Sequence, residues 1–245
     1  MTSEVFNTDC LEYMRTLPDN AFQLAIADPP YGIKATTDGF MHKGVRGKSL
    51  GASTAYTAKE WDGKAPDQDF FDELLRVCDN VILWGANHYI SRVPFDSSCW
   101  IVWDKQTGDN LYADCELAWT SFPTAVRKFT FMWKGMFQGN MAHKEERIHP
   151  TQKPVALYAW LLKNYAKPGD RIFDPMMGSQ SSRIAAYKMG FDYVGCEHTR
   201  STSTRAASVS TVSARAKSSP VTVTSSSRHR SSTSDIIPQT SDIKS

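Results

Sequence analysis

Apolar positions along this chain fall in short bursts between polar, proline- or glycine-marked turns, and their spacing predicts alternating strands and helices. Phe22-Gln-Leu-Ala-Ile-Ala-Asp28 is an apolar run that stops at an acidic residue followed by two prolines. Neither a helix nor a central strand continues through such a pair, so a buried strand should end at Asp28. Residues 32–61 are rich in Gly, Lys, Thr and Ser without periodicity, are too long for an ordinary connection, and read as a mobile substrate loop. A helix is expected over Asp69–Val77. Strands are expected at Asn80–Trp84, Cys99–Asp104, Cys115–Thr120 and Phe129–Trp133, the last two as an antiparallel pair.

From His149 the pattern changes. A proline-punctuated turn leads into a helix over about Pro154–Tyr165, with Pro154 suited to the first turn. A strand follows at Gly169–Asp174, then a tight turn at Met176–Gln180, a helix over Ser181–Met189, and a strand from Gly190 to Cys196 that closes at Glu197. Strand, turn, helix, strand is a βαβ unit, which predicts an α/β fold with a mostly parallel sheet.

After Glu197 the pattern ends: 23 of the last 48 residues are Ser or Thr, and none is Phe, Tyr or Trp. Residues 198–245 cannot form a packed layer and read as a disordered tail. The break interrupts the βαβ architecture. Moving the reading frame of Arg200–Ala214 back one nucleotide admits a peptide with two apolar positions seven apart, as one helix face requires. The tail is therefore read as the product of a frameshift, and residues 1–197 as the catalytic domain.

Composition narrows the class. With 41% hydrophobic and 11% aromatic residues, the chain has what a globular core needs. No apolar run reaches the roughly 18 to 20 residues of a bilayer span, and Met1-Thr-Ser-Glu4 lacks the marks of a signal peptide, so a cytoplasmic protein with no membrane partner is expected. The five cysteines include no CxxC pair, which points to neither a disulfide framework nor a zinc site. The formal charge of +2 is misleading as a sign of nucleic-acid binding. Seven basic and two acidic residues lie after residue 197, leaving 21 basic and 24 acidic in 1–197, a net of −3. Any basic surface must be local.

Three acidic residues at strand ends organise the candidate chemistry, because ligands of open α/β sheets bind outside the carboxyl ends of the strands. These are Asp28, Asp174 and Glu197. Glu197 comes 23 residues after Asp174, the spacing at which a carboxylate reaches a ribose hydroxyl, and Gly178 and Ser179 let backbone approach a cofactor. Asp28-Pro29-Pro30-Tyr31 suits transfer to an exocyclic amine. Such an amine is a poor nucleophile, and a carboxylate from Asp28 with the Pro29 carbonyl can accept its two N–H bonds and draw the nitrogen toward tetrahedral geometry. The prolines stiffen the loop, and Tyr31 offers a ring on which an extruded base can stack.

Together, Asp28-Pro-Pro-Tyr31, His149-Pro-Thr-Gln-Lys-Pro154 and Phe173-Asp-Pro-Met-Met-Gly-Ser179 resemble the permuted, beta-class amino methyltransferases of bacteria and phages, in which the catalytic motif precedes the cofactor motif. Asn7-Thr-Asp-Cys10 with Leu17-Pro-Asp19 is similar to that family's opening. The resemblance covers about residues 5–197. It implies a Rossmann-like methyltransferase fold with circularly permuted motif order, S-adenosylmethionine as cofactor with no metal, and double-stranded DNA as partner, and it allows a homodimer. The implied reaction is direct methyl transfer to N6 of adenine in a flipped base. N4 of cytosine and an inactive binding relic are the alternatives, and Asp rather than Ser at 28 favours adenine.

The resemblance also places residues. Asp9 and Cys10 would lie by the cofactor's adenine, Glu197 at its ribose, and Asp174, Pro175, Met176, Gly178 and Ser179 around its methionine portion. Thr151, Gln152 and Lys153 would hold the methionine end, Lys153 at its carboxylate. Gln180 stands where the family commonly has glycine, in a turn that can require positive φ. For DNA, Lys43, Arg46 and Lys48 are candidates for phosphate contact. Lys134, Lys144 and Arg147, with Gln138 and Asn140, fall in a short candidate recognition segment at 134–148. His88, His143 and His149 lack ligand spacing, and Trp84, Trp103 and Trp119 are expected in the core.

Overall fold

The computed structural model describes residues 1–33, 64–93, 96–108, 113–134, 137–146 and 151–197, without the side chain of His143. These lie in a unit spanning Met1–Ser208; a second unit, Val209–Ser245, is outside the described residues. So are most of the expected substrate loop, with Lys43, Arg46 and Lys48, as well as Arg147, His149 and the 198–245 tail.

In chain order the elements are β1 (Ser3–Phe6), α1 (Cys10–Arg15), β2 (Phe22–Ala27), α2 (Gln68–Val77), β3 (Cys78–Trp84), β4 (Trp100–Asp104), β5 (Cys115–Thr120), β6 (Arg127–Thr130), β7 (Trp133–Lys134), β8 (Phe137–Gln138), α3 (Val155–Tyr165), β9 (Arg171–Asp174), α4 (Ser181–Met189) and β10 (Asp192–Cys196). The main sheet has eight strands in the order β1-β10-β9-β2-β3-β5-β4-β6. All neighbours pair in parallel except at β5, which runs antiparallel to both β3 and β4. This is the expected α/β fold with a mostly parallel sheet.

One pairing expected from sequence is corrected. Cys115–Thr120 pairs with β3 and β4, not with the strand after it. The run Phe129–Trp133 divides: β6 ends at Thr130 and pairs in parallel with β4, while Trp133 opens β7, which pairs with β8. Apolar alternation marks a strand but not its partner, because partner choice depends on chain distant in sequence. The short β1 and α1 were not anticipated. Four strand residues and six helical ones carry little periodic signal, and Asp9 starts the helix by accepting from the backbone N–H of Leu11 and Glu12 at 2.8 and 3.1 Å.

The sheet is packed on both faces, and the two-residue strand period divides the core. Ala25, Ala27, Val81 and Leu83 pack with Met14 of α1 and with Phe70, Phe71, Leu74 and Val77 of α2. Leu24, Ile26, Ile82 and Trp84 pack with Leu157, Leu161 and Leu162 of α3 and with Ala185 and Ala186 of α4. Each of the larger buried side chains contributes about 1.5–3 kcal/mol. Trp84, Trp103 and Trp119 are all buried in this core. The Leu17-Pro-Asp19 corner is held by Arg76, which donates to the carbonyls of Met14 and Leu17 and pairs with Asp19 and Glu73.

β9 and β2 run parallel, but the winding order of the sheet reverses between them. The β9–α4–β10 unit winds to one side of this point and β2–α2–β3 to the other, so the two carboxyl ends open a crevice between them. Asp174 ends β9 and Asp28 follows β2, so these two acids flank it. Because β5 is antiparallel, its first residues reach this same edge of the sheet.

Candidate active site

Asp28 lies in a closed set of charges. Lys153, just ahead of α3 and only 4% exposed, places Nζ 2.5 Å from Asp28 Oδ1 and 3.2 Å from Glu116 Oε2. The Tyr31 hydroxyl donates to Asp28 Oδ1 at 2.9 Å and receives a hydrogen bond from Lys153 at 3.1 Å. Glu116 also pairs with Lys105, which follows β4, at 2.7 Å. Two carboxylates and two ammonium groups thus balance. Both bonds to Asp28 use Oδ1, and among the described residues none uses Oδ2.

Burial and neighbouring charge divide the two carboxylates. Burial raises the Asp28 carboxyl above its usual range; Lys153 opposes this and Glu116 reinforces it. Burial acts on Glu116 in the same sense, but Lys153 and Lys105 hold it down at about 2. Burial would also lower Lys153, and its two carboxylate partners more than reverse that. Tyr31, buried beside both carboxylates, titrates well above its usual value and remains a phenol.

The Tyr31 ring stacks on His88 with centroids 5.0 Å apart, and Lys153 lies 5.5 Å from its centroid. It fits only because residue 85 is glycine. A Cβ there would stand 2.1 Å from Tyr31 Cε1, and Gly85 has φ +72, a conformation that side chains disfavour. The Asp-Pro-Pro-Tyr loop is thus seated on the turn that ends β3.

Across the crevice, β9 leads into the turn before α4. Asp174 is buried and accepts from Ser182 Oγ at 2.5 Å and from the Met176 N–H at 3.0 Å; burial pushes its carboxyl up to about 7. Ser182 in turn contacts the Tyr193 hydroxyl at 3.0 Å. Gly178 N–H donates to Glu197 at 3.0 Å, drawing the turn to the end of β10. Gly178 and Gln180 both have positive φ, +46 and +64, so the turn keeps a left-handed residue where glycine was expected. Gln180 is tied down by Arg183, which donates to its side-chain oxygen at 3.1 Å. Asp9 and Asp174 both act on the Cys10 and Cys196 thiols, which burial already pushes to about 12. Asp9, Cys10, Asp174 and Glu197 therefore gather at one end of β1, β10 and β9.

A cofactor fits this side of the crevice. A Cβ added at Gly178 would meet only the Met176 carbonyl, at 4.0 Å, so the space beside the turn is open. Pro175 is buried, while Met176 and Ser179 are half-buried beside that space. Thr151 is exposed, whereas Gln152 is buried and bonded to the Glu146 carbonyl at 3.2 Å. Lys153, expected at the cofactor's carboxylate, is instead enclosed by Asp28 and Glu116.

The model for the N6/N4 family, described as DNA methylase, matches residues 104–207, a span that includes Glu116, Lys153, Asp174 and Glu197. The chain is 26% identical over 237 residues to the type II methyltransferase M.HinfI of Haemophilus influenzae, covering 79% of this chain and 64% of that protein. It is 24% identical over 236 residues to the type II methyltransferase M2.MboI of Moraxella bovis, covering 79% and 82%. Over residues 104–207 the chain is similar to the N6/N4 DNA methylase family. The alignment thus spans less than two thirds of the Haemophilus relative. Two solved structures share the fold. The M1.HpyAVI–SAM complex has a TM-score of 0.51 at 17% identity, covering 83% of this chain and all of that one. The PvuII DNA methyltransferase, described as cytosine-N4-specific, has a TM-score of 0.51 at 12% identity, covering 81% and 83%.

Sequence reasoning missed Glu116, Lys105 and Gly85, and weighed His88 only as a metal ligand. Glu116 left one trace, a charge inside an otherwise apolar strand. Of the residues expected at DNA, Lys134 donates to the Thr107 carbonyl at 2.8 Å and Lys144 is exposed. Gln138 is buried, not free to read a base: its amide exchanges hydrogen bonds with the Glu145 backbone, both 2.7 Å. Glu145 then accepts from Val155 N–H, capping α3. The 137–146 segment is thereby fastened to the helix behind Lys153.

Proposed function

We propose that this protein transfers a methyl group from S-adenosylmethionine to an exocyclic amine in double-stranded DNA, N6 of adenine, as a beta-class enzyme. One observation carries the reading: Asp28, at the end of a strand beside the switch point, is anchored through Oδ1, and no bond among the described residues takes up Oδ2. The order of Asp28 ahead of Asp174 along the chain supports the permuted class.

Oδ2 of Asp28 accepts one N–H of the amine and the Pro29 carbonyl the other, pulling the nitrogen lone pair out of conjugation. S-adenosylmethionine, when bound, would supply a methyl group on its sulfonium, so that the S–CH3 bond would break as the N–CH3 bond formed and positive charge would arrive on the amine. Anionic Asp28 stabilises that charge. Its raised pKa suits it to take the proton the methylated amine sheds. Gly178, Ser179 and the Met176 backbone would hold the methionine portion of the cofactor, Glu197 its ribose, and Asp9 with Cys10 its adenine.

Incubation with labelled S-adenosylmethionine and unmethylated DNA, followed by nucleoside analysis, tests this. N6-methyladenine is expected, and N4-methylcytosine would redirect the reading, since the same geometry serves either amine. Cofactor binding without transfer would mark a binding relic. Asp28→Ala should reduce kcat by roughly 10²–10³-fold or more, as for loss of a group aimed at developing charge, with cofactor affinity retained. Undiminished transfer by that variant would remove Asp28 from the mechanism.

A further inference from the structure

Lys153 presents three N–H donors to three acceptors: Asp28 Oδ1, Glu116 Oε2 and the Tyr31 hydroxyl. A buried ammonium facing one carboxylate would bind it as tightly as geometry allows and would compete with any other donor for that carboxylate. Here the ammonium is divided. Glu116 takes part of its charge and is itself held by Lys105 at 2.7 Å, so the second carboxylate cannot swing away. We propose that Glu116 is a positioning residue that acts through Lys153, fixing the orientation of Asp28 and keeping its charge available to the substrate amine.

The inference rests on the methyltransferase reading for its kinetic consequence only. The arrangement is electrically neutral, with Asp28 and Glu116 against Lys153 and Lys105. Removing the Glu116 charge leaves an excess positive charge beside the point where positive charge must arrive on the amine. It also leaves Asp28 as the one carboxylate partner of Lys153 among the described residues. Both effects slow transfer, and neither involves the cofactor.

Several other groups face Asp28: Tyr31 on its own loop, itself stacked on His88, Tyr89 after β3, Tyr158 on α3 and Asp174 across the crevice. Of the two described carboxylates that act on Asp28, Glu116 and Asp174, only Glu116 shares Lys153 with it. Its loss therefore has a defined sign. With a neighbouring negative charge gone, Asp28 ionises at lower pH.

The test uses the full chain and the variants Glu116→Gln, Lys105→Met and their combination, with Asp28 followed by carboxyl 13C NMR and methyl transfer by steady-state kinetics across pH. Glu116→Gln should lower kcat about tenfold, leave the KM for S-adenosylmethionine unchanged, and move both the Asp28 titration and the acid limb of kcat downward by about one pH unit, the effect of one close charge. The double variant restores neutrality and should recover a large part of kcat. Lys105→Met alone moves the Asp28 titration upward, so the sign can be read even if Glu116→Gln does not fold. An unmoved Asp28 titration in these variants, or a double variant as slow as Glu116→Gln, overturns the proposal in favour of a packing role. Absence of transfer by the wild type would instead sink the methyltransferase reading, while the NMR titration still decides the role of Glu116.

Discussion

Asp174 is buried and Asp28 largely so, yet the two acids meet burial in different ways. Asp28 has an ammonium partner and remains suited to act as an anion. Asp174 has a hydroxyl and a backbone N–H but, among the described residues, no cation, and its carboxyl rises to about 7. The sign for stability follows. The folded protein holds a proton on Asp174 at pH values where the unfolded chain, near 3.8, has lost it. Its stabilising contribution is therefore complete below about pH 4 and is lost as pH rises through about 7. Asp174→Asn, which stays neutral, should flatten the pH dependence of Tm across that window in thermal denaturation. A profile unchanged from wild type would place the titration elsewhere. Asp174 was legible in the sequence as the acid that closes a strand; its missing counter-charge was not, because it depends on what packs over it.

At the scale of elements, loops are seated by the turns they touch. The Asp-Pro-Pro-Tyr loop ends in a ring pressed on Gly85, and that contact fixes the hydroxyl that bonds Asp28. Gly85→Ala places a methyl group inside the ring and a side chain at φ +72. It should cost roughly 1–3 kcal/mol in denaturant unfolding and lower kcat by displacing Tyr31. Full activity would show that Tyr31 is not held from this side. The strand and turn carrying Asp28 were readable from an apolar run closed by two prolines, and the turn after β9 from its glycine. The positive φ at Gln180 was anticipated by comparison with a glycine in the family. Gly85 was not singled out, since its need arises from a tyrosine 54 positions earlier in the chain.

For the molecule as a whole, the sheet order brings distant segments to one edge: Asp9, Asp28, Lys105, Glu116, Lys153, Asp174 and Glu197 all come from different strand ends or the segments beside them. No helix among the described residues is long and apolar enough to cross a membrane. We propose residues 1–197 as the methyltransferase domain and 198–245 as a frameshifted replacement of its native end, although the family match runs on to residue 207. Sequencing the gene around codons 197–201 should reveal the shift, and an intact frame encoding this same tail in close relatives would refute it. The amino-acid sequence determined the strands, helices and turns and the acids that close the strands, because apolar period, prolines and glycines act within a few residues. Only the tertiary structure decided that β5 runs antiparallel and delivers Glu116 to Lys153. Strand pairing and the balance of buried charges depend on contacts between segments far apart in the chain, which no local pattern records.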